Sequence, residues 1–406
     1  MGAVEPPTPP LRSKFVTRCT AILGSALLLV ACSSPGTAKL TPSVTPDLAG
    51  GSPQAQTVLA VFLAPVPGST TKYQISLVGT DGSVAASVQA ARRTNLPGTP
   101  LPYVAASSSR VYFLDGDAHL KSMSPSGKVV AVRDISGATA QVHAAFAVSP
   151  DDRQLAYSTI DYTTVPPLLR LSVASLANGG QSKEIFSSSS LYVWPVAWHE
   201  GKLVLAVGDA YPTGPAPDGA AHPWCDPSFG ACTADNPYSA TQGYHVVDPA
   251  DATRLASLGS SQCRVIGLLT GAGTICKEGR SGPSNPVCNP AITLCLRLVS
   301  WQAAITDWTS TGSIWTGEIN PSASQLVACC QGGSMSLYTG HFPGGDERVL
   351  LRQGGMPVWW MDDEHLIYQP LSGQPATTMH ILTVSSGDDV VVKAAGFPVA
   401  SVPSGF

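Results

Sequence analysis

A two-part unit recurs along this chain, and no other feature restricts its fold as much. The unit opens with an apolar run, a short turn and a second apolar run, as in "AFAVSPDDRQLAYST" at residues 145 to 159. The same shape returns as "PYVAASSSRVYFL" (102 to 114), "PVAWHEGKLVLAV" (195 to 207), "VIGLLTGAGTICK" (265 to 277), "GEINPSASQLVAC" (317 to 329) and "PVWWMDDEHLIYQ" (357 to 369). Its second runs begin at Val111, Leu155, Leu203, Thr274, Leu326 and Leu366, at intervals of 44, 48, 71, 52 and 40 residues. Alternation and β-branched runs mark these as strands, and no stretch of the repeat region sustains a helical period. Another hairpin follows each unit, from "YQISLVGTDGSVAASV" (73 to 88) to "MHILTVSSGDDVVV" (379 to 392).

Four strands every 40 to 50 residues is the period of a β-propeller blade. The expected fold is therefore all-β, a propeller of seven four-stranded blades spanning residues 57 to 403. Seven of the following hairpins are present but only six complete opening ones, and the two ends of the region supply the missing one. "TVLAVFLAP" (57 to 65) is a second strand without its first, and "FPVASVP" (397 to 403) is a first strand without its second. Pairing 397 to 403 beside 57 to 63 closes the ring and removes its long exposed edges.

The unit at 145 to 159 carries a resemblance. "AVSPDDRQLAYS" is similar to the repeat of TolB-type propellers, whose pattern is close to "SPDGxxLAF". Ser149, Pro150, Asp151, Leu155, Ala156 and Tyr157 match, and Asp152 stands where glycine is usual. The other blades match in outline. The resemblance implies the fold and leaves the ligand open, since propellers serve both as binding platforms and as enzymes.

The N-terminus is of a different kind. Arg12, Lys14 and Arg18 precede 13 uncharged, mostly apolar residues, 19 to 31. That run is too short to span a bilayer, which takes about 20 residues, and it has the build of a secretory signal. Leu29, Val30, Ala31 and Cys32 resemble the lipobox of bacterial lipoproteins. By that resemblance residues 1 to 31 are a signal peptide cut before Cys32, whose thiol takes the lipid (diacylglycerol) and anchors the chain to a membrane. Residues 32 to 56, rich in Pro, Gly, Ser and Thr, read as the lipidated cysteine and a flexible tether. The expected location is the bacterial cell envelope, outside the cytoplasm. Removing residues 1 to 31 leaves 20 basic and 26 acidic residues, a net charge of −6, which argues against nucleic acid as a partner.

Eight further cysteines remain past Cys32: Cys225, Cys232, Cys263, Cys276, Cys288, Cys295, Cys329 and Cys330. In an oxidising compartment an even count reads as a disulfide set. Two insertions carry pairs at equal spacing, Cys225 and Cys232 within about 209 to 243, and Cys288 and Cys295 within about 278 to 295. Local bridges are expected in both. Adjacent Cys329 and Cys330 would point to opposite sides of a strand and take separate partners, for instance Cys276.

Residues that point to chemistry are few. A zinc reading of His222, Cys225 and Cys232 fails on spacing, and no metal or other cofactor is expected. The pairs Asp151–Asp152, Asp362–Asp363 and Asp388–Asp389, and "DGDAH" at 115 to 119, fit turns in which aspartate binds its own backbone. Trp194, Trp198, Trp359 and Trp360 fit wedges between blades better than a glycan platform. No nucleophile elbow, zinc-protease helix, P-loop or dinucleotide signature occurs, so no catalytic residue is assigned and the balance tips against an enzyme. The expectation is a non-enzymatic binding platform for a protein or envelope component. The alternative is a propeller hydrolase or lyase acting on a glycan or peptide through scattered loop residues.

Overall fold

The structure, a computed structural model, describes residues 58–94, 103–177, 180–208, 241–259, 263–265, 271–278, 295–309, 316–331, 334–339, 347–371 and 378–403. The signal sequence, Cys32 and the tether lie outside the described residues, as do Cys225, Cys232, Cys288 and nearly all of both insertions.

Seven antiparallel four-stranded sheets make the ring, each ordered from its innermost strand outward. Blade 1 joins Phe397–Val402 to Leu59–Pro65, Lys72–Gly79 and Val84–Ala91. Blade 2 is Val104–Ala106, Val111–Asp115, His119–Met123 and Val129–Asp134; blade 3 is Val142–Val148, Gln154–Asp161, Leu168–Ser175 and Ser182–Ser188. Blade 4 is Val193–His199, Lys202–Gly208, Thr241–Val247 and Arg254–Leu258; blade 5 is Cys263–Val265, Gly273–Glu278, Cys295–Ser300 and Ile305–Thr309. Blade 6 is Thr316–Ile319, Gln325–Gln331, Ser334–Thr339 and Glu347–Gln353; blade 7 is Gly355–Trp360, His365–Pro370, His380–Thr383 and Asp389–Val391. The expected closure is present: Leu59 pairs with Val402 and Leu63 with Phe397, across one bulge.

The burial of each strand follows from its place. Second strands are covered on both sides by neighbouring blades, so Leu59–Pro65 and Gln154–Asp161 are buried almost without interruption. Outer strands face water, as in Val129–Asp134. Successive side chains of a second strand point to opposite neighbours. In blade 1, Leu59, Val61 and Leu63 pack toward blade 2, while Ala60 and Phe62 pack toward blade 7.

The tryptophans fill these seams, as expected. Trp194, Trp198 and Trp360 are buried. Trp198 donates its Nε1–H to Ala147 O of blade 3 (3.4 Å) and Trp360 to Glu318 O of blade 6 (3.1 Å), the same contact at two seams. Trp359 donates to Ser401 Oγ of blade 1 at 3.0 Å.

The two faces of the ring differ. Connections between first and second strands, and between third and fourth, share one face, and none exceeds seven residues. This turn face is stitched from blade to blade. Ser108 N donates to Pro150 O, Gly271 N to Pro321 O, and Ser322 N to Asp363 Oδ1. Asp151–Asp152 and Asp362–Asp363 sit in turns here, whereas of the third pair only Asp388 lies in the connection and Asp389 opens the outer strand of blade 7. Asp152, at φ 60°, adopts the backbone for which glycine is usual. Its carboxylate accepts from Tyr112 OH at 2.8 Å and from Ser109 Oγ of blade 2, so the departure from the repeat pattern makes a clasp between blades.

Connections between second and third strands, and from each fourth strand to the next blade, share the opposite face. This loop face carries 32 residues between Gly208 and Thr241 and 16 between Glu278 and Cys295, the two cysteine-bearing insertions.

Candidate functional site

On the loop face, side chains from blades 1, 2 and 3 converge at the connection that leaves Ala91. "DGDAH" is a turn, and it also grips that connection. Ala91 N donates to Asp115 Oδ1 (2.6 Å), Gly116 N to Ala91 O (2.9 Å), Thr94 N to Asp117 Oδ1 (2.7 Å) and Thr94 Oγ1 to Asp117 Oδ2 (3.0 Å). Gly116 permits the turn because it sits at φ 77°.

Arg93 is thereby fixed. Its Nη1 donates to Ala144 O on the innermost strand of blade 3 at 3.1 Å, and its guanidinium lies 5.1 Å from the ring centre of Tyr103. Tyr103 meets Tyr73 edge-on at 5.0 Å, and Tyr73 OH donates to Leu114 O. Burial raises the pKa of both tyrosines, so their hydroxyls keep their protons.

His143 completes the group. Its Nε2 lies 2.9 Å from Thr94 O. A carbonyl only accepts, so Nε2 carries the proton and Nδ1 is the bare nitrogen. Nδ1 is buried and has no partner among the described residues. The imidazole meets the Tyr162 ring edge-on at 5.4 Å. Burial, helped by the charge of Arg93, pushes its pKa down to about 4, which leaves it neutral near pH 7. The result is a fixed cation, phenol groups and a neutral imidazole on one face. That set suits a carboxylate-bearing ligand and includes groups able to accept or donate a proton.

The cysteines are partly visible. Cys276 and Cys329 are buried. They face opposite neighbours: Cys276 lies in the cluster shared with blade 4, and Cys329 packs on Met356 of blade 7. The expected example of a bridge reaching Cys276 from Cys329 is therefore corrected. Cys263, Cys295 and Cys330 lie on strands of blades 5 and 6.

Other polar groups serve the seams. Asp389 of blade 7 accepts from Tyr368 OH (2.9 Å), pairs with His380 Nδ1 (3.0 Å) and binds Arg352 of blade 6. His199 stacks on Trp301 of blade 5 at 3.9 Å. Glu318 holds the place that Ala147 holds at the equivalent seam, and burial raises its pKa to about 8. None of the residues at the Arg93 site was legible as a site beforehand. The available signal was Arg92-Arg93 closing a strand, in a chain of which only 12% is charged.

No protein-family model matches the chain, and no curated protein sequence does. Among solved structures, an oligogalacturonate lyase from Vibrio parahaemolyticus is 8% identical, with a TM-score of 0.47 over 77% of this chain and 83% of that one. An acylaminoacyl peptidase from Pyrococcus horikoshii is 10% identical, with a TM-score of 0.43 over 82% of this chain and 52% of that one. TolB from Acinetobacter baumannii is 10% identical, with a TM-score of 0.35 over 85% of this chain and 65% of that one. These likenesses concern the fold alone: the chain is a seven-bladed β-propeller, an architecture that enzymes and non-enzymes share. The inclination against an enzyme is corrected accordingly. It rested on missing motifs, and a lyase and a peptidase stand beside TolB among the similar folds.

Proposed function

We propose that this protein is a lipid-anchored envelope protein whose ring acts on an acidic glycan or peptide, as a hydrolase or lyase, at the loop face around Arg93 and His143. One observation supports this reading above the others. A guanidinium and a neutral imidazole with a bare, unpartnered nitrogen lie together on the elaborated face of an otherwise tightly turned ring. Arg93 would hold the ligand's carboxylate. That carboxylate would offset the positive charge that helps keep the His143 pKa low, so His143 becomes more basic when ligand is present. The Tyr103 hydroxyl would donate a hydrogen bond or a proton to the leaving side.

The anchor is part of the proposal. Cys32, after Leu29, Val30 and Ala31, carries the lipid, and Cys32→Ala should abolish lipid labelling and move the protein to the soluble fraction. Persistent labelling of the variant removes the anchor from the account. For the activity, the purified protein is offered acidic glycans and peptides, and new reducing or unsaturated ends and new amino termini are measured. Turnover of one class, lost in Arg93→Ala with the thermal melt unchanged, is expected. Turnover of neither class, or an unaffected Arg93→Ala variant, contradicts it.

A further inference from the structure

We infer that the ligand of the Arg93–His143 site is a peptide and not a glycan: an acidic residue held by Arg93, with an apolar side chain close by in its sequence resting on Val165. This rests on the reading given above, that Arg93 takes a carboxylate, and deepens it by naming the class of ligand.

The groups around Arg93 separate the two classes. A sugar ring is held by an aromatic face open to its C–H side and by spare carboxylate acceptors for its hydroxyls. Neither stands ready among the described residues of the site. Tyr103 lies under the Arg93 guanidinium and against Tyr73, which is itself buried, and the Tyr162 ring meets His143. Both oxygens of Asp115 are bound, one by Ala91 N and one by Lys121. Both oxygens of Asp117 are bound by Thr94.

An apolar contact is offered instead. The connection of residues 162 to 167 leaves blade 3 directly beside His143. Ile160 pairs with His143 and Asp161 with Val142, and Tyr162 N donates to Gln141 O at 3.2 Å. Asp161 Oδ1 accepts from Thr163 N (2.8 Å) and Thr163 Oγ1 (2.6 Å), and Thr164 Oγ1 donates to Asp161 O (3.1 Å). At the far end Tyr192 OH donates to the carbonyl of buried Pro167 at 3.1 Å. Between these braces Val165 is 98% exposed, whereas the next most exposed large apolar side chain among the described residues, Ile305, is 55% exposed. A lone surface valine is ordinary. This one is thrust wholly into water by a firmly held connection, three residues from the ring that packs on His143. Such a contact is preorganised, so a ligand that covers it loses little in ordering it.

Reach also fits a peptide. Three residues of chain span at most about 11 Å, so the Val165 backbone stands within that distance of Tyr162. An extended peptide covers such a span with about three residues, the carboxylate on one and the apolar group on another. An acidic glycan brings carboxylates but no apolar side chain to cover Val165.

The test measures binding of four probes to the purified full-length protein by calorimetry: acetyl-Leu-Glu-Leu-amide, acetyl-Ser-Glu-Ser-amide, acetyl-Leu-Gln-Leu-amide and a trimer of galacturonic acid. Covering a valine is worth roughly five- to tenfold in affinity. The Leu-Glu-Leu peptide should therefore bind about that much tighter than Ser-Glu-Ser, with Leu-Gln-Leu and the trimer weaker still. Val165→Ser should bring the first two within about twofold of each other with the thermal melt unchanged, and Arg93→Ala should abolish both. Equal binding of the two glutamate peptides, or a preference that Val165→Ser leaves intact, overturns the apolar contact while the Arg93 site stands. Arg93-dependent binding of the trimer in preference to the peptides overturns the peptide in favour of a glycan. Binding of no probe in an Arg93-dependent way overturns the carboxylate reading and this inference with it.

Discussion

Closure of the ring by its last strand makes a quantitative prediction. Phe397 and Val402 belong to one strand but seal different seams. Phe397, 1% exposed, packs with Phe62, Val358 and Ile367 between blades 7 and 1; Val402, 2% exposed, packs with Leu59 and Val111 between blades 1 and 2. Phe397→Ala should cost about 3–5 kcal/mol, the usual range for emptying a buried aromatic site. Val402→Ala removes two buried methyl groups and should cost about 2 kcal/mol, transfer and cavity together. The two clusters are separate, so the effects should add to about 5–7 kcal/mol, comparable with the roughly 5–15 kcal/mol that holds a domain folded. Gly396 adds a sharper local variant. It sits at φ 90°, and a methyl group there would meet the Leu63 carbonyl at 1.8 Å, so Gly396→Ala should damage the same latch. Urea unfolding followed by tryptophan fluorescence measures each variant. Val391→Ala, half exposed on an outer strand, is the control and should move stability by less than about 0.5 kcal/mol. A Phe397→Ala protein with the control's midpoint would refute the reasoning.

Further outcomes are expected elsewhere. His143 has a folded pKa below its unfolded value, so the unfolded chain binds the extra proton between about pH 6.5 and 4 and stability falls as pH drops through that window. The loss should approach about 3 kcal/mol and be absent in His143→Gln; equal acid sensitivity of the two proteins, read as urea midpoints from pH 7 to 4, contradicts this. Glu318 behaves in the opposite sense. Its folded pKa is raised, so its burial is increasingly unfavourable from about pH 4.5 up to pH 8, and Glu318→Ala should raise the urea midpoint at pH 8 more than at pH 5. An unchanged midpoint at pH 8 would show that the carboxyl is not desolvated. Asp152→Gly restores the usual turn residue but removes the acceptor of Tyr112 OH and Ser109 Oγ, so it should destabilise by about 1–2 kcal/mol, and a stabilised variant would count against the clasp.

The ring was legible in the sequence because a blade is a local object. The hairpins formed by first and second strands, and by third and fourth, each span no more than 21 residues, and the missing strand showed as an unpaired remainder at the two ends. Even the 71-residue interval was readable, since the residues between Gly208 and Thr241 account for its excess. The Arg93 site was not legible, for a physical reason. Three of its contacts join residues 41 to 51 positions apart, Tyr73 with Leu114, His143 with Thr94 and Arg93 with Ala144, and the ring brings them together without a local pattern. The Asp115–Asp117 turn shows both limits. Its turn character could be read from "DGDAH", whereas its grip on Ala91 and Thr94 depends on the neighbouring blade. Asp152 was visible as a departure from the repeat, but its use as a clasp required knowing that Ser109 and Tyr112 lie across the seam.

The central claim is that this ring has one working face. The most direct measurement is amide hydrogen exchange across the described residues, with and without a digest of acidic envelope glycans and peptides. The account predicts slowed exchange around 91 to 94, 103, 143 and 162, with the turns at 107 to 110, 150 to 153, 320 to 324 and 361 to 364 unchanged. Protection confined to those turns, with the Arg93 connection unaffected, would contradict it.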